Sequence, residues 1–191
     1  MARPIQYDPK EVLDKAMHIF WEKGYEQTSI QDIVAVTGLK PGSLYNLYGN
    51  KEGLFKAVLD LYATEALRVA KEVLFDGDDG VKNIKKFLDE VVLPSIINEK
   101  TNGCLMVKTL LIVSHKDNNI QLYITKVFQE VEKYIVEVLQ TAKDKGDVSV
   151  NPEDFAKFII ITMYGAHVYY KTSKDEKALI QSVHILLDTL N

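Results

Sequence analysis

Residues 28–55 carry two short helical patterns joined by a glycine. The first pattern places apolar side chains at spacing i, i+3, i+4, which is one face of a short helix: Ile30, Ile33 and Val34. Thr28 or Ser29 can cap the start of this helix, because a hydroxyl oxygen accepts a hydrogen bond from a backbone N–H. Gly38 can adopt the positive φ that ends a helix and turns the chain.

A second short helix is predicted after this glycine. Pro41 fits its first turn, where the missing N–H costs nothing, and Leu44 and Leu47 are expected to form its inner face. Together the patterns predict a helix-turn-helix at about residues 29–48, whose second helix can enter a DNA major groove. Similar pairs of helices occur in all-helical proteins that do not bind DNA, so the spacing alone leaves this function open.

The outward side of the second helix has side chains that suit DNA. Lys40 can pair with phosphate or with guanine, and Asn46 can pair with adenine, while tyrosine hydroxyls usually reach phosphate oxygens. Gly42 leaves room for a close approach of the backbone, and Lys51 at the start of a further helix predicts a second phosphate site. The candidate DNA-binding residues are Thr28, Ser29, Lys40, Pro41, Gly42, Ser43, Tyr45, Asn46, Tyr48 and Lys51.

A longer set of residues at fixed spacing extends this pattern: Ala16, Phe20, Gly24-Tyr25, Thr28-Ser29-Ile30, Asp32-Ile33-Val34, Gly38-Leu39, Gly42-Ser43-Leu44-Tyr45, Tyr48-Gly49 and Lys51-Glu52-Gly53-Leu54-Phe55. With these residues, the run from Asp8 to Phe55 resembles the DNA-binding domain of the tetracycline-repressor (TetR) family of one-component bacterial regulators. The resemblance implies a homodimeric repressor that binds a palindromic operator in double-stranded DNA and is released by a small-molecule inducer.

Composition agrees with a folded regulator. The chain has 191 residues, a net charge of −4 and a single cysteine, which argues against non-specific nucleic-acid binding and against a disulfide framework. Met1 to Lys56 holds Arg3 and six lysines against seven acids, so DNA affinity must come from the placement of charges. Arg3 either contacts DNA or lies in a solvated tail. Without a membrane span or signal peptide, a soluble cytoplasmic protein is expected, with no membrane partner.

The rest of the chain predicts helices throughout. The expected fold is all-α with about nine helices: a three-helix DNA-binding head in residues 1–50, and a helical effector-binding and dimerisation domain in residues 51–191. A long helix from about Lys51 to Phe75 has a first half that belongs to the head. The helix that starts at Val81 is expected to be interrupted or ended near Pro94, and Cys104 to His115 is expected to be a central buried helix.

The two last helices carry more apolar surface than packing on one side would use. Ile159, Ile160 and Ile161 point to several faces of one helix, and Val183 and Ile185 do the same on the next. Pairing with a twofold mate would give a four-helix bundle. The resemblance also implies a dimer interface there, so a homodimer is expected. The alternative is a thick monomer core.

The middle helices are expected to hold the effector pocket, as the resemblance implies. Small-molecule pockets are mostly apolar with a few polar anchors. The candidate lining residues are Tyr62, Phe87, Cys104, Met106, Lys108, Leu110, Tyr123, Phe128, Tyr164 and His167. Packing in the core is the competing interpretation for each of them, since the sequence does not show which of these side chains surround a cavity.

Cys104 supports a sharper hypothesis. Thr101 or Asn102 can cap the next helix, so its dipole and Lys108, one turn on, would favour a reactive thiolate. The stretch 102–107 also resembles a branch that includes the electrophile-sensing repressor of N-ethylmaleimide reductase, which implies a sensor cysteine. A small buried thiol is the alternative.

Two other classes of function are less favoured. The sequence contains no nucleophile elbow, P-loop or dinucleotide fingerprint, and its four histidines are not set at metal-ligand spacing. We therefore expect no enzyme, no cofactor and no metal. A helical adaptor that does not bind specific DNA is the remaining alternative. It would require the outward side of the Lys40 to Tyr48 helix to have no role.

Overall fold

The computed structural model describes residues 7–98, 103–112 and 118–190. These residues form helices joined by turns and loops, and they contain no strand. Arg3, Thr101 and Asn102 lie outside this part of the chain. The helices are α1 (Pro9–Lys23), α2 (Ile30–Thr37), α3 (Pro41–Tyr48), α4 (Lys51–Leu74), α5 (Gly80–Lys86), a π-helical segment (Phe87–Val92), α6 (Leu93–Ile97), α7 (Leu105–Ile112), α8 (Asn118–Lys145), α9 (Pro152–Ser173) and α10 (Glu176–Asp188).

The segment from α5 to α6 is one continuous helix with a change of hydrogen bonding inside it. Counted in this way, the described residues form nine helical runs, as the sequence predicted. The expected interruption near Pro94 takes the form of the π-helical segment before it, with Pro94 in the first turn of α6. Proline has no N–H, so Pro94 cannot donate the regular helical hydrogen bond. The wider π-helical turn just before it accommodates this loss without ending the helix.

Two compact units divide the chain, Met1–Thr64 and Glu65–Asn191, and the division falls inside α4. The first half of α4 belongs to the N-terminal unit because its apolar face is buried there. Phe55 lies 4.9 Å from Phe20 and 4.7 Å from Tyr25 between ring centroids. Aromatic rings at these separations contribute beyond the area they bury.

The ends of α1 and α2 follow from their capping residues. Asp8 accepts a hydrogen bond from the N–H of Lys10 at 2.9 Å, and Pro9 opens α1. At the end of α2, Gly38 has the left-handed conformation, with φ of 72°. A side chain would strain the backbone there, so the turn between α2 and α3 depends on this glycine.

The C-terminal unit has its own core, to which both α8 and α9 contribute. Ile135 and Leu139 from α8 and Ala156 and Ile159 from α9 are fully buried. Leu179 adds the first turn of α10 to the same core. This scaffold holds the helices that surround the cavity described below.

The expectation of a buried α7 is only partly right. Leu105, Met106 and Val107 are buried, but Leu111 and Ile112 at its end are about half exposed. Only the first part of this eight-residue helix packs against the core. The end of the helix faces outward although its side chains are apolar. Among the described residues, no helix is both long and apolar enough to cross a membrane.

Candidate functional site

The start of α2 is fixed by a reciprocal pair of hydrogen bonds. The N–H of Asp32 donates to Ser29 Oγ at 3.1 Å, and the N–H of Ser29 donates to the Asp32 carboxylate at 2.9 Å, which forms a capping box. Lys23 from the end of α1 donates to the same carboxylate at 2.7 Å. The bonds from Lys23 and Ser29 hold the pKa of Asp32 well below its usual range. This network ties α2 to α1.

Ser29, rather than Thr28, is the cap. Thr28 is buried, and its hydroxyl donates to the carbonyl of Gly24 at 2.7 Å. The hydroxyl of Thr28 is therefore used inside the N-terminal unit, and its predicted contact with DNA stays a prediction. Ser29 is exposed at the N-terminus of α2, where it can still lie near a phosphate.

The outward face of α3 forms a continuous exposed surface. Lys40, Pro41, Gly42, Tyr45 and Asn46 are exposed, while Ser43 and Tyr48 are partly buried. Lys40 occupies the N-cap position and makes no side-chain capping bond. The exposed residues of this predicted set thus come together on one side of a short helix, and their chemistry suits phosphate and base edges.

Leu47 does not form the inner face as predicted, since 39% of it is exposed. The inner face of α3 runs from Leu44, which is buried, to Tyr48, which is partly buried and stands four residues on. Positions i and i+4 lie nearly above one another on a helix, whereas i+3 turns back by about 60°. Leu47 therefore joins the exposed surface, where an apolar side chain can contact a thymine methyl group.

Lys51 bonds to the backbone between α1 and α2. Its ammonium donates to the carbonyl oxygens of Tyr25 at 3.0 Å, Thr28 at 3.2 Å and Glu26 at 3.4 Å. It also lies 4.5 Å from the centroid of the Tyr25 ring. The three bonds use all three donors of the ammonium, so the side chain holds the loop between α1 and α2, and its predicted phosphate contact stays a prediction.

The packing of α3 against the start of α4 also fixes this surface. Gly53 lies so close to the carbonyl of Tyr48 that an added Cβ would fall well inside van der Waals contact with it. The N–H of Gly53 donates to the Asn50 side chain at 2.8 Å, which caps α4. Burial, and to a smaller extent Tyr7, raises the pKa of Tyr48, so its hydroxyl remains a neutral donor at pH 7.

A cavity of about 260 Å³ lies in the C-terminal unit between α6, α7 and α9. Three of the predicted effector residues line it: Cys104, Lys108 and His167. Cys104 precedes α7 and is partly exposed, and its carbonyl accepts a hydrogen bond from the N–H of Lys108 at 2.9 Å. The sequence had no means of showing that these three side chains share one cavity.

The other predicted effector residues do not line this cavity. Phe87 and Met106 are buried in the core, and Leu110 and Tyr123 are partly buried elsewhere. Phe128 and Tyr164 pack edge to face at 4.8 Å, and burial, followed by Cys104 and Glu132, raises the pKa of Tyr164 to about 12. Tyr62 belongs to the N-terminal unit, where its ring packs on Trp21 at 5.3 Å.

His167 has an unusual environment. Its Nδ1 lies 2.8 Å from the carbonyl of Met163, one turn earlier on α9. Its Nε2 is buried and has no hydrogen-bond partner among the described residues. Burial lowers the pKa of His167, so the ring is neutral at pH 7. A neutral ring that donates from Nδ1 presents Nε2 as an acceptor.

Lys171 and Lys174, which were not predicted, also line the cavity. A signal for them was present, because His167, Lys171 and Lys174 follow at i, i+4 and i+7 and so share one face of α9. Cys104, Lys108 and Leu111 repeat the same spacing on the facing side, and all three line the cavity as well. Only the packing of α7 and α9 shows that the two faces are opposed.

Comparisons with known proteins agree with this geometry. Residues 12–58 match the model of bacterial regulatory proteins of the tetR family, and residues 80–186 match a tetracyclin repressor-like C-terminal domain. The HTH-type transcriptional repressor ComR of Escherichia coli (strain K12) is 28% identical over 183 residues, which are 94% of this chain and 87% of ComR.

Solved structures of TetR-family regulators have the same fold as this chain. A cysteine-substituted variant of the TetR family transcriptional regulator CifR, complexed with 26-base-pair operator DNA, superposes with a TM-score of 0.87 at 25% identity and 100% coverage of both chains. Reduced NemR of E. coli superposes with a TM-score of 0.85 at 17% identity, covering 95% of this chain and 96% of NemR. That likeness shows the fold alone, and the sensor role of Cys104 stays a prediction. The two matched segments establish that the chain belongs to the TetR family of DNA-binding transcriptional regulators, which are not enzymes.

Proposed function

We propose that the protein is a homodimeric repressor that binds a near-palindromic operator through α3 and leaves it when a small molecule occupies the C-terminal unit. The observation that carries this proposal is the exposed polar face of α3 within a capped helix-turn-helix. The likeness to CifR in complex with operator DNA supports it. The site of action is the cytoplasm, where bacterial DNA is found.

Each exposed side chain of α3 has a distinct task in this proposal. Asn46 pairs with adenine, and Leu47 contacts a thymine methyl group in the same groove. Lys40 and Tyr45 bind phosphate oxygens, as does the hydroxyl of the partly buried Tyr48, and these contacts set the position of the helix. A base contact changes which sequence is preferred, whereas a phosphate contact changes affinity for all sequences.

Dimerisation through α9 and α10 is supported by the apolar side chains that these helices leave exposed. Ile161 is 66% exposed and Ile185 is 57% exposed, and Phe158, Val168 and Tyr169 are also exposed. Ile159, Ile160 and Val183 are buried in the core, so the exposed set is what remains after the unit has folded. Two half-sites about one DNA turn apart would then each receive one α3.

Induction follows from the coupling of two sites. A ligand that binds better to a state whose two DNA-binding units are wrongly spaced for the operator lowers operator affinity. The operator lowers the affinity for this ligand by the same factor, which is typically about five- to 150-fold, or ~1–3 kcal/mol. The helix α4 contributes residues to both units, which makes it the element that would carry this coupling.

The decisive experiment selects bound fragments from the source genome with purified protein at a stated salt concentration. We expect enrichment of one palindromic site. Lys40→Ala should weaken binding to it and reduce the dependence of log affinity on log salt concentration by about one unit, because one phosphate contact is lost. Lys15→Ala is the matched control, since Lys15 pairs with Glu11 on α1. A folded dimer that enriches no site would contradict the proposal.

The dimer surface is tested separately by placing a charge in it. Ile161→Glu should give a monomer in analytical ultracentrifugation and lose operator affinity, because a carboxylate would be buried without a partner. Leu122→Glu on α8 is the matched control, since Leu122 is exposed to a similar degree outside the proposed interface. A dimeric Ile161→Glu protein would place the interface elsewhere.

The predicted sensor role of Cys104 requires its own test. Cys104→Ser should bind the operator as the wild type does but should no longer be released by an electrophile such as N-ethylmaleimide. A variant that is still released would show that Cys104 is not the sensor.

A further inference from the structure

We propose that the cavity between α6, α7 and α9 binds a small, mainly apolar carboxylate that also carries a hydroxyl group, and that this class of molecule is the inducer. The second part of this inference rests on the proposed function. The first part does not, because it concerns binding to the C-terminal unit in the absence of DNA.

The charge of the cavity points to an anion. Lys108, Lys171 and Lys174 all line it, and none of the described residues around it is acidic. This is notable in a chain with a net charge of −4. Burial, and after it the charge of Lys171, lowers the pKa of Lys108, because like charges that line one cavity disfavour each other's charged form. A carboxylate between them would replace this repulsion with charge-assisted hydrogen bonds.

The remaining walls suit an apolar body of limited size. Ile96, Val107 and Leu111 contribute hydrocarbon to the cavity. Since liquid water occupies about 30 Å³ per molecule, a volume of 260 Å³ corresponds to about nine waters, or to a ligand of roughly ten non-hydrogen atoms.

His167 supplies the reason for a hydroxyl group. Its Nε2 is buried, accepts hydrogen bonds in the neutral ring and has no partner among the described residues. A buried polar atom without a partner is costly, so a ligand that donates to it gains more than one that does not. His167 lies one turn before Lys171 and two turns before Lys174 on the same face of α9. A ligand hydroxyl at His167 would therefore lie one to two helical turns from a ligand carboxylate at these lysines.

Isothermal titration calorimetry with DNA-free, full-length protein tests the ligand class. The probes are 4-hydroxybenzoate, which has the size derived above, benzoate, which lacks the donor, and methyl 4-hydroxybenzoate, which lacks the charge. We expect the affinity to fall in that order. Binding of the ester as tightly as the acid, or no binding of either acid, would overturn the proposal.

Variants of the lining locate the site. Lys171→Gln should weaken 4-hydroxybenzoate binding about tenfold or more, as the loss of a charge-assisted bond implies. Lys143→Gln, an exposed position of α8 outside the cavity, should bind as the wild type does. Equal affinity of the two variants, both shown to be folded by circular dichroism, would place the ligand elsewhere and contradict the assignment.

The link to induction has a separate readout. Addition of 4-hydroxybenzoate to the operator complex should release the DNA from the wild type but not from Lys171→Gln at the same concentration. Binding in the calorimeter without release would refute the inducer role and leave the site intact. A protein that binds no operator at all would refute the proposed function, while the calorimetric result would still stand.

Discussion

The proposed DNA-binding surface on α3 and the cavity between α6, α7 and α9 differ in how their residues are brought together. The surface lies within residues 40–48, and its geometry is set by the caps and turns of α2, α3 and α4. The cavity joins residues of α6 and α7 to residues of α9 that stand about sixty positions later in the chain. Local spacing therefore determines the first site, whereas the second exists only once the C-terminal helices have packed.

This difference predicts that substitutions in the N-terminal unit will alter DNA binding without affecting the cavity. The four tests below probe that separation, beginning with the one that should have the largest effect.

Gly53→Ala should cause the largest change. The added Cβ would clash with the Tyr48 carbonyl, and overpacking of this kind costs about 1–3 kcal/mol or more. Urea unfolding should show a less stable N-terminal unit, and operator affinity should fall. Gly42→Ala is the matched control for stability, because nothing lies within 4 Å of a Cβ built there. If Gly53→Ala also abolished 4-hydroxybenzoate binding, the two sites would not be separable.

Asn46→Ala tests the assignment of a base contact. We expect a loss of operator affinity of about 1–3 kcal/mol and a relaxed preference at one base pair of each half-site. Competition binding with operators substituted at each position measures both effects. A uniform loss over all sequences would show instead that Asn46 contacts the DNA backbone.

Ser29→Ala tests the capping box at the start of α2. The loss of its hydroxyl leaves the N–H of Asp32 without this acceptor, and such a change typically costs about 1 kcal/mol. The thermal midpoint of the N-terminal unit should fall by a few degrees. Gln31→Ala, at an exposed position of α2, should have a much smaller effect. Equal effects would show that the cap contributes little.

The pH dependence of stability tests the burial of His167 and should be the smallest effect. The pKa of His167 is lowered in the folded protein, so the unfolded chain binds more protons as the pH falls below the ordinary histidine value of about 6.5. The effect of His167 on the free energy of unfolding is therefore close to zero at pH 7. It becomes destabilising as the pH falls from about 6.5 to the lower pKa that His167 has in the folded protein. His167→Gln should show a weaker loss of stability than the wild type over that range in urea unfolding. An unchanged profile would contradict the burial of the ring.

Much of the N-terminal unit could be predicted from the sequence because its determinants are local. The caps, the turn at Gly38 and the exposed positions of α3 follow from residue types at short spacing. The structure adds contacts that were not predicted where a side chain had a choice of partners. Thr28 and Lys51 both bond to backbone carbonyls of the preceding helix and loop, and Tyr48 takes the inward position expected for Leu47.

The cavity shows the limit of that reasoning. Seven of the ten predicted effector residues lie elsewhere, while Lys171 and Lys174 were missed although they share a face with His167. A helical period tells which residues lie on one side of a helix. It does not tell which other helix that side will meet.

The sequence by itself determined an all-helical chain, a helix-turn-helix and the family to which it belongs, because caps, glycines and helical periods act over a few residues. Only the tertiary structure decided which lysines surround a cavity, which apolar residues stay exposed on α9 and α10, and what Lys51 binds. Those outcomes depend on contacts between residues far apart in the chain, and such contacts form only when the helices pack.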